Sequence, residues 1–422
     1  MPDLVQRRAQ SLVEEALGDT RVVLVMGPRQ AGKSTLLAQL AARYPGLSVV
    51  TLDERTRRLA AAADPTGFVA GLPRPVAIDE IQRVPDLLPA IKQVVDTDPR
   101  PGQFILTGSS NVLTNRRVMD ALPGRTELVT LWPLSQAEIH RSPATFIDSL
   151  LAGSPPDVTG APVGRDAFAA VAAAGGFPEA LDRAPRRRDR WFADYVTTVL
   201  TRDARDLSDA QKLWALPRLL RLLAAQSSGM LTYATIAQKL QLHPTTVASY
   251  VGLLEGLFLV HLLPSWRPGL GAREVHAPKV TVTDSGLLAH LLGADESRLR
   301  SDDQVTGPVL ESFVAMEMLK QATWAARDVG VYHYRRDRDE VDLVLETRAG
   351  DLAAVEVRAT ASPTPAHWAR LAKLRDGAGA RFRAGALIYS GADTVPLGDR
   401  LWAIPVAGLW TPSGRPEYRV PV

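Results

Sequence analysis

The sequence predicts an α/β chain of several domains, and three observations carry that expectation. At 422 residues it exceeds what one hydrophobic core holds. Its 46% hydrophobic and 23% charged residues match a globular composition, which excludes disorder, collagen and coiled coil as the main architecture. Short apolar runs closed by turn residues alternate with helical patterns over the first 135 residues and again beyond about residue 290. Such alternation predicts a largely parallel sheet with helices on both faces.

Taken in order, VVLVMG (22–27) is a buried-strand run, followed by a Gly-rich loop and a helical stretch, STLLAQLAARY. LSVVTLD, PVAIDEI and QFILTGSS are the next strands, and LVTLWPLS (128–135) is the last strand of this segment. Residues 136–225 read as helical, interrupted at 152–164 and at GGFPEAL (175–181), with a local basic patch at 183–191. Residues 226–290 carry a helix-turn-helix with a β-wing. From 291 to 422 the reading returns to a helix and the strands YHYRR, EVDLVLET, LAAVEVRA and AGALIYS. The expected domains are therefore 1–135, 136–225, 226–290 and 291–422.

Composition narrows the chemistry. A net charge of +3 supplies no global field for nucleic acid, so any basic surface must be local. The absence of cysteine excludes disulfides, thiolate metal sites and cysteine nucleophiles. The longest apolar run, 251–263, is too short to span a bilayer, and the first seventeen residues lack the apolar core of a signal peptide. A soluble, cytoplasmic protein with no membrane partner is the expectation. Only seven of the 49 basic residues are lysines, so a lysine at a chemically demanding place is informative.

Gly27, Pro28, Arg29, Gln30, Ala31, Gly32, Lys33 and Ser34 match G-x-x-x-x-G-K-[ST] between a strand and a helix. The glycines let backbone amides turn toward phosphates, and the helix N-terminus adds its positive dipole end. Lys33 is expected on the β/γ-phosphates and Ser34 on Mg²⁺, with Thr35 following in the helix. About 45 residues on, Asp79 ends the strand VAID and is expected to hold the metal's water shell. Glu80 stands where a base would polarise attacking water. Ser109, Ser110 or Asn111, after FILTG, are candidate γ-phosphate sensors. Arg125 is the candidate arginine reaching the γ-phosphate, in cis or from a neighbouring subunit. The reading is a hydrolase using ATP and Mg²⁺.

GPRQAGKST, VAIDEIQ, FILTGSSN and GRTELVTLWPLS resemble the bacterial and archaeal AAA+-type ATPases that carry an uncharacterised C-terminal domain. The likeness continues through LTYATIAQKL, VTDSGLLAHLLG and GPVLESFVAMEMLK. It implies ATP binding and hydrolysis.

In the helix-turn-helix, Ile236, Ala237, Leu240, Val247, Tyr250, Val251 and Leu254 keep helical spacing on one face. Thr245, Thr246 and Ser249 fall on the outer face, and Lys239, Arg267 and Arg273 are the nearest cations, a candidate DNA surface. The segment resembles winged helices. Further on, Glu311, Asp342, Glu356 and Arg358 follow the helix–strand–strand order of the PD-(D/E)XK nucleases, a nuclease-like α/β fold. That resemblance implies Glu311, Asp342 and Glu356 as ligands of a vestigial metal site. Arg358 replaces the nuclease lysine, and a guanidinium does not activate water as an amine does. The domain is thus expected to be a DNA- or partner-binding platform, aided by Arg358, Arg335, Arg336 and Arg338. The leading expectation is an ATPase acting on duplex or branched DNA, a motor or helicase-like remodeller, forming a homo-oligomer that could be a ring. The alternatives are a nucleotide-controlled switch for protein partners and an ATP-regulated metal-dependent nuclease.

Overall fold

VVLVM, VAID and FILTG have no polar face, and in the computed structural model each is a strand buried along its whole length. Residues 4–109, 124–143, 146–160, 165–204, 213–267, 276–336 and 339–411 are described here. They fall into two units: Met1–Pro133 with Thr197–Leu213 and Gly252–Leu259, and Leu134–Val196 with Trp214–Val251 and Val260–Val422. Two pieces of the expected helical and helix-turn-helix segments thus cluster with the first unit.

In the first unit, α1 (Ala9–Asp19) precedes β1 (Val22–Met26), α2 (Lys33–Arg43), β2 (Ser48–Thr51) and α3 (Arg55–Ala63). α4 (Pro65–Ala70), β3 (Val76–Asp79), α5 (Leu87–Thr97), β4 (Phe104–Gly108) and β5 (Thr126–Thr130) follow. The five strands form one parallel sheet in the order β2-β3-β4-β1-β5. Parallel strands covered on both faces need continuous apolar runs, which is why these three central strands show no alternation. Side chains still alternate between faces. Val22, Leu24 and Met26 join one core with Ile78 and Leu106, while Val23 and Val25 join the other with Ala77 and Ile105. Leu36, Leu37 and Leu40 of α2 enter that second core. An eleven-residue helix is marginal alone, so these three buried leucines, at roughly 1.5–3 kcal/mol each, hold it.

The second unit contains α6 (Leu216–Ala225), α7 (Tyr233–Leu240), and the start of α8 (Pro244–Gly256). β6 (Val260–Leu263) pairs antiparallel with β7 (Lys279–Val282) as a two-stranded wing. The helix-turn-helix residues Ile236, Ala237, Leu240, Val247, Tyr250 and Val251 are buried as their spacing predicts. Beyond α9 (Asp303–Ala322) lie β8 (Val329–Arg336), β9 (Asp339–Thr347), β10 (Leu352–Arg358), α10 (Pro365–Ala378), β11 (Phe382–Tyr389), β12 (Val395–Gly398) and β13 (Leu401–Pro405). Their strands form a mixed six-stranded sheet, β12-β13-β11-β10-β9-β8, parallel only at β10/β11 and β11/β13. No helix among the described residues is long and apolar enough to cross a membrane.

Candidate active site

The loop between β1 and α2 sits at the carboxyl edge of the parallel sheet, where open α/β sheets bind ligands. Gly27 is required by contact: a Cβ there would lie 2.1 Å from the Leu131 carbonyl oxygen. Gly32 is required by conformation, with φ of +98° just ahead of the helix. The Lys33 ammonium is buried and donates to the carbonyls of Gly27 (3.0 Å) and Pro28 (2.9 Å). Burial pushes its pKa down to about 8, against the opposing pull of Glu80 and Asp79. From the segment before α1, Arg7 donates to the Ala31 carbonyl (2.5 Å) and the Trp132 carbonyl (2.6 Å), tying the loop to the exit of β5.

Asp79 closes β3 opposite this loop. Ser34 Oγ donates to its Oδ2 at 2.8 Å, and Thr107 Oγ1 donates to its other oxygen. Glu80 has φ of +62°, a left-handed conformation that is costly for a side chain of this size and is concentrated at functional sites. Its amide donates to Thr107 Oγ1 (3.1 Å). The Gln82 amide nitrogen donates to the Glu80 carboxylate and, at 2.9 Å, to Ser109 Oγ. Glu80, Gln82 and Ser109 line a cleft of about 490 Å³ together with Arg29, Arg58 and Arg202. Arg29 is ion-paired to Asp203 at 3.0 Å. Asp203 and Arg202 belong to a π-helical turn, Val199–Asp203, a rare geometry that often marks functional segments. The residues fit Mg²⁺ and a triphosphate. Ser34 and Asp79 present adjacent oxygens, the loop turns at glycines, and the Lys33 ammonium bonds only neutral carbonyls.

Matches to known families cover most of the chain. An AAA domain is matched over residues 19–140 and a domain of unknown function, DUF4143, over 306–409. Between them, residues 165–298 match another domain of unknown function, DUF8612. An uncharacterized protein of Mycobacterium tuberculosis is 30% identical over 411 residues, 97% of this chain and 85% of the relative, and one of Mycobacterium bovis matches equally. The chain belongs to their family, AAA-type P-loop ATPases with a C-terminal domain of unknown function. Among solved structures, a Walker-type ATPase of Pyrococcus abyssi aligns at TM-score 0.43 and 16% identity, over 69% of this chain and 96% of that one. AMPPCP-bound DnaA of Aquifex aeolicus aligns at TM-score 0.26 and 14% identity, over 60% and 88%.

In this AAA-type ATPase, Lys33, Ser34, Asp79, Glu80 and Ser109 lie along one edge of the sheet. Arg125 does not. It precedes β5, which runs parallel to β1 with Thr126 beside Val22, so it stands at the opposite end of the sheet from the loop. There it is ion-paired with Asp96. A contact in cis with the γ-phosphate is therefore corrected, because the sheet's length lies between them. Ser110, Asn111, Arg273 and Arg338 lie outside the described residues. Sequence reasoning missed Gln82, Thr107, Arg202 and Asp203. Only the π-turn's position after an amphipathic run and the Gln of DEIQ offered a signal.

On the helix-turn-helix, Lys239, Thr245 and Ser249 are exposed and Thr246 is half-buried. Thr245 Oγ1 lies 2.8 Å from His243 Nδ1. Arg267 donates to the Arg335 carbonyl (2.7 Å), so part of its donor set is spent on the protein.

The carboxylates of the C-terminal sheet depart from the metal-site expectation. Lys279 Nζ, at the start of the wing strand β7, lies 2.8 Å from Glu311, 2.8 Å from Glu340 and 3.6 Å from Asp342. Burial works against its charge, but Glu311, Asp342 and Glu340 outweigh that and hold it above the usual lysine range. Arg358 is ion-paired with Glu356 and, at 3.4 Å, with Asp342. Glu311, Asp342 and Glu356 are thus committed to the protein's own cations. Arg358, half-buried, is likewise engaged in these ion pairs. Among the described residues no cluster of histidine and acidic side chains is arranged to hold a metal ion.

Proposed function

We propose that this ATPase hydrolyses ATP at residues 27–34 and uses the cycle to act on duplex or branched DNA. Lys33 and the backbone amides of residues 29–34 hold the phosphates, with the α2 N-terminus adding its dipole. Magnesium, when bound, neutralises charge on the transferring phosphate, and Ser34 and Asp79 are the residues that would hold it. Glu80 accepts the proton of the attacking water, and Gln82 positions Glu80 through its link to Ser109. Arg202 and Arg58 supply positive charge to the γ-phosphate side of the cleft. The observation that carries this reading is the unbroken chain Ser34–Asp79–Thr107–Glu80–Gln82–Ser109 along one sheet edge.

Two elements support coupling to the rest of the chain. Helix Pro185–Thr198 runs into the turn whose Asp203 holds Arg29 of the loop. The second helix of the helix-turn-helix, α8, leads into Phe258, which packs in the core behind the strands and lies edge-on to Trp132. A change in the grip on phosphate therefore has one covalent route, through Pro185–Thr198, to the helical segment that precedes the helix-turn-helix, and another, through α8, to the helix-turn-helix itself. There Thr245, Thr246 and Ser249, with Lys239, would contact DNA. The test is an ATPase titration with single-stranded, duplex and four-way-junction DNA at fixed salt. Stimulation by at least one of them is expected. An unchanged rate with all three would overturn the DNA part.

One observation favours a second reading, a nucleotide-controlled switch that assembles with itself or with protein partners. The outer face of the helix-turn-helix has few cations, and Arg267 is engaged by the Arg335 carbonyl. This reading expects particle size to depend on a non-hydrolysable ATP analogue, and little DNA affinity at physiological salt.

A further inference from the structure

The helix and strands that resemble a metal-dependent nuclease do not fit a metal, and the reason is a lysine from a different module. Nuclease carboxylates converge because a divalent cation needs several oxygens around it. Here Glu311 of α9 and Glu340 and Asp342 of β9 converge on the Lys279 ammonium. That side chain is only 3% exposed. Its strand is fixed on both sides, by Leu263 of β6 and by a bridge to Met230. The remaining oxygen of Asp342 accepts the Val357 amide at 2.9 Å and faces Arg358 at 3.4 Å, which also holds Glu356.

We propose that the Lys279 ammonium is a built-in replacement for the divalent cation of this carboxylate cluster. It supplies the positive charge that the converging carboxylates require, and it staples the wing of the helix-turn-helix to the nuclease-like sheet. An ammonium has no open coordination position and does not lower the pKa of a water as a metal does. At this cluster the C-terminal module is accordingly a metal-free scaffold. Removing the amine while keeping the stem, as in Lys279→Met, leaves Glu311, Glu340 and Asp342 around an uncompensated space and uncovers a site for one divalent cation.

The test uses the full chain, nucleotide-free, titrated with Mn²⁺ and followed by the electron-spin-resonance signal of the free ion, alongside thermal melting. The wild type is expected to hold no Mn²⁺ that Asp342→Asn removes, and to melt at the same temperature with Mn²⁺ or EDTA. Lys279→Met is expected to melt lower without metal. It should gain one Mn²⁺ site, roughly tenfold or more tighter than any background, and recover melting temperature with Mn²⁺. Both gains should vanish in the Lys279→Met/Asp342→Asn double variant, and Lys279→Arg, which keeps a cation, should gain no site. A wild-type Mn²⁺ site that depends on Asp342 would overturn the proposal. So would a folded Lys279→Met chain that gains no site, or one that stays unfolded in excess Mn²⁺.

Discussion

Two buried lysines, Lys33 and Lys279, sit in opposite electrostatic settings. They are exposed to nearly the same small extent, 5% and 3%. Lys33 donates only to neutral carbonyls, and burial lowers its pKa to about 8. Lys279 is ringed by three carboxylates that hold its charge firmly in place. A buried cation bonded to weak neutral acceptors is available to an incoming anion, because trading carbonyls for phosphate oxygens gains charge-assisted bonds. A cation saturated by carboxylates has nothing to gain from a ligand. The same residue type therefore makes an open site in the first unit and a closed one in the second.

The largest expected effect that breaks this contrast is at Lys33. Lys33→Ala should weaken ATP binding by roughly 10- to 100-fold, the worth of a charged hydrogen bond in a buried place. Calorimetric titration measures it, and unchanged affinity would mean that the loop does not grip phosphate through this amine. Gln82→Ala should lower kcat by about tenfold with KM nearly constant, since Gln82 acts only by orienting Glu80. A rise in KM alone would make Gln82 a binding residue instead.

Titration of Lys33 sharpens the contrast. In the nucleotide-free protein its ammonium, with a pKa of about 8, loses its proton, whereas phosphate holds the ammonium, so binding takes up a proton above that pH. ATP affinity should be flat below about pH 7 and fall about tenfold between pH 7 and 9. Calorimetry in buffers of differing ionisation enthalpy reads the uptake directly, and no uptake at pH 9 would contradict it. The smallest effect is expected at Arg125. With its exposed pairing to Asp96 at the far end of the sheet, Arg125→Ala should leave turnover of monomeric protein within about twofold. A large loss at high dilution would return it to the site.

The nucleotide loop was legible because its chemistry is contiguous. Eight successive residues, framed by an apolar strand and an amphipathic helix, state their geometry locally. Asp79 and Glu80 were legible for a similar reason, as the polar end of an otherwise apolar strand. For Arg125 the placement within one chain was already legible. In a parallel sheet the residue before one strand and the loop after another stand at opposite edges, so TELVT following Arg125 already placed it far from GPRQAGKS. The Thr107–Asp79, Gln82–Ser109 and Asp203–Arg29 links were not legible, because their partners lie 28, 27 and 174 residues apart and meet only through tertiary packing. The carboxylates near the C-terminus were found, but their occupant was not. Lys279 comes from the wing of a preceding module, and nothing in a strand reading KVTV reveals which carboxylates it will face.

In the proposed function, ATP held at residues 27–34 is cleaved with Glu80 as the base. Phosphate release and nucleotide binding measured side by side for the wild type and Glu80→Gln, with magnesium, test it most directly. The wild type is expected to release phosphate, and Glu80→Gln to bind ATP with affinity within about threefold while releasing at least about 100-fold less. Equal phosphate release by both proteins, or no nucleotide bound by either, would contradict it.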